Sequence, residues 1–267
     1  MARSAASADR WALGLALAAV LALGLALLAG LLELGGGYGT RQGWWLYGYG
    51  LRMLRNGAVL AAAASGLGLL AALGLWAARR AGAGRSPLAL VCALAALAVG
   101  GVALGLPLAT LQRARGAPPI HDITTDTERP PAFQALLARR AHAANPPDYD
   151  GPQTAALQRR GYPDIAPALF REAPPAVLVA AERVARELGW EIVAAVPAEG
   201  RLEASDRTPL FGFTDDIVVR VEPAAGGGSR LDIRSKSRVG RSDVGTNARR
   251  VRRFLQALRA TGLTPGG

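Results

Sequence analysis

Residues 206–255 read DRTPLFGFTDDIVVRVEPAAGGGSRLDIRSKSRVGRSDVGTNARRVRRFL. Two periods follow one another here. Ile217, Val219 and Val221 alternate with polar neighbours, as do Leu231 and Ile233 with Asp232, Arg234, Lys236 and Arg238. Side chains on a strand point to opposite faces in turn, so this pattern predicts strands over 211–221 and 230–239, joined at the glycine run. The spacing then changes. Val244, Ala248, Val251, Leu255 and Leu258 form one apolar stripe at helical period, flanked by Arg249, Arg250, Arg252 and Arg253. Asp243 or Ser242 is placed to cap that helix.

Moving upstream, Val177, Ala180, Ala181, Val184 and Leu188 repeat at helical spacing behind the prolines at 174 and 175, and Gly189 ends the run. Residues 190–196 and 201–207 read as two more strands about a turn at 197–200. The order is helix, four-stranded antiparallel meander, helix. This predicts an α+β domain whose helices cover the apolar sheet face and whose polar face looks outward. Before it, residues 121–164 carry prolines at 130, 131, 146, 147, 152 and 163. They predict an extended arm wrapped on something else, with one short helix at 133–144. Residues 112–122 read as a linker and 123–262 as the soluble domain.

Residues 1–111 are of another kind. Roughly 20 consecutive apolar residues cross a hydrocarbon core of ~30 Å, and three runs qualify, at about 11–34, 57–78 and 87–111. Only Glu33, at the end of the first, breaks their neutrality. Trp11, Trp44, Trp45 and Trp76 fall at the ends of the runs, where indoles favour the headgroup region. The stretch 38–49 is expected to lie along that interface. The first run is longer than a signal-peptide core and no cleavage pattern follows the glycines at 35–37. Gly101 and Gly105 form a weak G-x-x-x-G signal in the third. The chain is thus an integral membrane protein by composition.

The net charge is +11, with ten arginines against two acids in residues 1–117. Cationic residues near the spans divide five against five between the two sides of a three-span topology. The dense connector RRAGAGR at 79–85 is the better cytoplasmic candidate. A bacterial cytoplasmic membrane with the soluble domain outside the cytoplasm follows as the expectation. Cys92 is the lone cysteine, so neither a disulfide framework nor a thiolate metal site is present.

No side-chain set spells out a reaction. Asp215 and Asp216 are a candidate acid–base or metal pair, but strand neighbours diverge, and salt bridges to Arg220, Arg234 or Arg238 are the simpler reading. His121 with Asp122 and a serine would imitate a hydrolytic triad, without the nucleophile elbow. No phosphate-binding or dinucleotide fingerprint occurs, and no cofactor is expected. Residues 217–267 do hold eleven basic groups against three acids. Arg234, Lys236, Arg238, Arg241, Arg249 and Arg253 are therefore expected to form a basic face for an anionic partner, a lipid headgroup or an envelope protein. Few aromatics interleave with them, which argues against nucleic acid. Asp243 is expected to pair with Arg241, Arg249 or a strand arginine, and Asp215 or Asp216 with another.

HDITTDTERPPAF (121–133), Tyr149, YPDI (162–165), LGW (188–190), FGFTDDIVVRV (211–221) and DIRSKSRVGRSDVGTNARRVRRF (232–254) resemble the bacterial domain of unknown function 1499 family. The resemblance implies one domain over about 118–260, often attached to a membrane, and brings no catalytic residues with it. Three functions remain: an anion-binding membrane-anchored domain, a hydrolase using Asp215, Asp216 and His121, or a structural assembly protein.

Overall fold

The computed structural model of the protein describes residues 2–83 and 86–266. Arg85, in the basic connector, lies outside them. The described residues form two compact units, residues 1–112 with Pro209–Gly212, and Arg113–Thr208 with Phe213–Gly267.

The first unit is helical. Helices α1 (Ala2–Arg41), α2 (Tyr47–Arg80) and α3 (Pro87–Gly116) are each long and apolar enough to cross a membrane. They exceed the runs expected from composition, and the glycines at 35–37 do not end α1. An ideal Cβ on Gly36 would lie 2.8 Å from Gly50 O and 2.9 Å from Met53 Cβ. Those glycines therefore permit close approach of α1 and α2 rather than a break. The expected interfacial stretch shrinks accordingly to the turn between Arg41 and Tyr47. Glu33 is buried, its side chain against Gly57. At the turn Tyr38, Trp44 and Trp45 pack edge to face. Arg52 lies over Tyr49 and Arg80 over Trp76, so each end of α2 carries an aromatic ring and a cation. Gly101 and Gly105 meet nothing within 4 Å.

The second unit is α+β. Its sheet runs β1 (Asp122–Thr124), β6 (Ser229–Ser237), β5 (Thr214–Pro223), β4 (Arg201–Arg207), β3 (Glu191–Val196), entirely antiparallel. A further strand, β2 (Ala168–Phe170), pairs with the other half of the β6 edge. The meander of four is β3–β6, and two three-residue strands are added to it. Leu202, Ala204, Ile217, Val219, Leu231 and Ile233 face one side and build the core with α6 (Pro174–Glu187) and α7 (Thr246–Arg259). Trp190 stacks on Phe254 there with centroids 5.2 Å apart. Burying such side chains contributes about 1.5–3 kcal/mol each.

The other sheet face departs from expectation. It is not solvated but covered by residues 125–150, with a small apolar cluster of Phe133, Leu136 and Val218. The expected helix at 133–144 is a single turn, α4 (Leu137–Arg140). Pro152 opens a helix instead of breaking one: α5 (Pro152–Gly161) starts on it, because the first helical turn has no intrahelical partner for the missing N–H.

Candidate functional site

The residues expected to form an outward basic row are mostly inside. Arg234 is 2 % exposed and Lys236 0 %. Alternation put both on the polar face of β6, and the covering segment then removed that face from water. Isolated charges there would cost many kcal/mol, so each must be matched. The match is nearly complete.

Asp122, at the start of β1, accepts from Arg234 Nε at 2.9 Å and Nη2 at 2.8 Å, and lies 3.2 Å from Lys236 Nζ. Lys236 also donates to Asp150 at 2.5 Å and to the Asp148 carbonyl at 2.6 Å. His121 Nε2 stands 3.2 Å from the other Asp150 oxygen. Arg234 lies over the rings of Phe133 and Tyr149. The buried Tyr149 hydroxyl is pushed up to about 12, by desolvation first and by Asp122 next.

Asp216 is the second hub. It receives Arg140 Nη1 at 2.7 Å, Arg238 Nε and Nη2 at 2.8 Å, and Ser205 Oγ at 2.7 Å. Burial works to raise its pKa, but the hydrogen bonds from Arg238 and Ser205 and the two cations outweigh it and hold it below the ordinary carboxylate value. Arg220 spans Asp126 at 3.1 Å and Asp232 at 2.9 Å, and Arg230 reaches the same two carboxylates. Glu203, fully buried, accepts the backbone N–H groups of Gln134, Ala135 and Leu136 and pairs with Arg201.

On the helix face Asp215 meets Arg250 at 2.7 Å, and Arg250 also contacts Asp206, Ser235 and Asn247. Asp215 and Asp216 thus serve opposite faces of one strand. Each carboxylate is paired with arginine, Asp215 through one oxygen and Asp216 through both, an arrangement that holds charge in place. Among the described residues no group of three His, Cys, Asp or Glu side chains is placed to hold a metal ion.

One expected pair is absent. Among the described residues Asp243 has no arginine within salt-bridge reach. Its carboxylate accepts the N–H of Gly245 at 2.8 Å and of Asn247 at 2.6 Å, so it caps α7. The reason is competition: two orphan amides at the helix start lie closer than any guanidinium. Burial pushes this carboxyl up.

Arg241, Arg249 and Arg253 stay exposed and form no ion pair among the described residues. Among the described residues Arg249 donates to the Val244 carbonyl and the Thr246 hydroxyl. Its pKa is lowered, by desolvation first and then by the neighbouring cation Arg113. Arg252, between them in sequence, is neutralised by Asp164 at 2.6 Å.

Arg140, Asp150 and Glu203 were not singled out from sequence, and Asp122 was named only as a member of a triad with His121, whereas it holds Arg234. They lie far along the chain from the strands they serve, so no local spacing marks them. A comparison with family models matches residues 122–258 to the protein of unknown function (DUF1499) model. No curated protein matches the chain.

Proposed function

Because the chain belongs to the DUF1499 family of proteins of unknown function, we propose its role from its own residues: a membrane-anchored domain that engages anionic lipid headgroups through its exposed arginines. The observation that carries this reading is the cluster of unpaired cations around Arg249. Arg249 senses Arg113, which with Arg115 closes a helix long enough to span a bilayer. The carboxylate near Arg249, Asp243, is taken up by the Gly245 and Asn247 amides, so these like charges still favour an anionic counterpart. Arg241 and Arg253, exposed on the approach to α7 and on α7 itself, extend the set. Arg234, Lys236 and Arg238 support this face from within by fixing the sheet, and do not take part in binding.

The test uses the full chain released from detergent in native mass spectrometry. The wild type should retain phosphatidylglycerol over phosphatidylcholine, and the variant R241A/R249A/R253A should lose that preference while melting within a few degrees of wild type. Equal retention of both lipids by the wild type would sink the reading. We place the domain outside the cytoplasm. A reporter enzyme active only there, fused after Gly267, should be active. An inactive reporter beside an active cytoplasmic one reverses the orientation.

A second reading, a structural assembly role, is favoured by the buried ion-pair network. It predicts that neither lipid is preferred and that the exposed arginines are silent.

A further inference from the structure

We propose that the cleft between the β5–β6 turn and strand β2 binds a small organic phosphate, with Arg171 as its principal cation. The cleft has a volume of about 830 Å³, within the range of roughly 300–1,000 Å³ usual for small-molecule sites. One wall is β2, the other the glycine turn, and Arg129, Arg171, Arg230 and Glu222 also line it.

The three cations are not equivalent. Arg129 is forked onto Glu222, and Arg230 is tied to Asp232 and Asp126. Both are held in position before any ligand arrives, which lowers the ordering cost of binding. Arg171 is exposed and makes no ion pair among the described residues. The adjacent Glu172 carboxylate accepts the Thr264 N–H at 2.8 Å and, though within electrostatic reach of Arg171, forms no ion pair with it.

The turn supplies further donors. Gly226, Gly227 and Gly228 have φ of 95°, 101° and 76°, a region side chains avoid. The Gly227 N–H bonds to Ala224 O, while the Ala225, Gly226 and Gly228 amides have no partner among the described residues. Gly228 packs so tightly on Phe170 O and Arg171 Cα that a Cβ is excluded, which fixes the turn beside the free guanidinium. Donors arriving from peptide N–H groups and from guanidinium forks suit a tetrahedral phosphate better than a planar carboxylate, which one fork satisfies. Leu169, 40 % exposed, and Pro223 offer apolar surface for the organic part. The cleft shares no residue with the Arg249 cluster.

The experiment titrates inorganic pyrophosphate into the full chain held in phosphatidylcholine nanodiscs, by calorimetry at low salt. Saturable one-to-one binding is expected, weakened about tenfold by Arg171→Ala and also by Ala225→Asp, which sets a carboxylate on the exposed turn. Arg207→Ala, at an exposed arginine at the opposite end of the sheet, should bind as the wild type does. No saturable binding up to roughly 10 mM overturns the proposal, as does wild-type affinity in both cleft variants or an equal loss in Arg207→Ala. Repeating the titration in phosphatidylglycerol nanodiscs separates the sources of phosphate. Unchanged affinity supports a soluble ligand, whereas weakened affinity means lipid headgroups occupy the cleft and overturns it.

Discussion

At the scale of single residues, Asp216 illustrates how charge is carried inside this domain. One carboxylate holds Arg140, itself 2 % exposed, together with Arg238 and the Ser205 hydroxyl. Replacing a buried pair by apolar groups can be neutral, but removing one partner strands the other. Asp216→Asn keeps the shape and leaves two guanidinium groups uncompensated. It should lower stability by about 3–5 kcal/mol. Chemical denaturation followed by near-ultraviolet circular dichroism, which reads the Trp190–Phe254 stack, checks this. Arg249→Ala, at an exposed position, should change stability by less than about 0.5 kcal/mol. A small effect of Asp216→Asn would show that water reaches Arg140.

Elements are joined here by side chains acting as caps at a distance. Glu203 on β4 collects three consecutive N–H groups at the start of the α4 turn. This is the task a capping residue performs locally, done by a residue almost seventy positions away. The proline-rich segment 125–150 has little regular hydrogen bonding of its own, so Glu203 is a main anchor for it. Leaving a buried donor unsatisfied costs about 1–3 kcal/mol. Glu203→Ala should therefore loosen this segment before the rest. Limited trypsin digestion of the full chain should cut at Arg139 or Arg140 about tenfold faster, while α6 and the sheet stay protected. Uniformly faster digestion would mean that the segment and sheet unfold as one unit.

For the whole molecule, these carboxylates set the response to acid. Asp216 is held low as described. Asp126 also ends low: burial would raise it, but the Arg129 and Glu128 amides and the Arg230 and Arg220 charges prevail. A folded-state pKa below the unfolded value of about 3.9 means the native state takes up that proton less readily. The stabilisation is complete above the unfolded value and is lost as pH falls through the folded one. Asp243 has the opposite sign. Its raised pKa makes the native state gain the proton first, so stability declines as pH rises from the unfolded value through the folded one. Thermal unfolding of the full chain should show a Tm that drops below about pH 4, and D216N should flatten that limb. A Tm indifferent to pH down to 3 would refute the role given to these groups.

What was legible in the order of residues was whatever rests on local period. The apolar runs of α1–α3, the alternation of β3–β6 and the stripe of α7 each report a face directly, because burial repeats with the geometry of the element. A cap at Asp243 or Ser242 was legible from side-chain type, and it is Asp243 that takes the Asn247 amide, from two residues before the N-cap Gly245. The fate of the charges was not. Within 217–267 eleven cations face three acids, and from that count the row 234–238 reads as a solvated binding face. Its carboxylates come instead from Asp122, Asp150 and Asp216, brought in by β1, the covering segment and the neighbouring strand β5, while Asp206 and Asp215 take Arg250 of α7. Ion pairing acts through space over a few ångströms and has no period along the chain. Folding therefore decides which arginines are spent inside and which, such as Arg171 and Arg249, remain free to meet an anion.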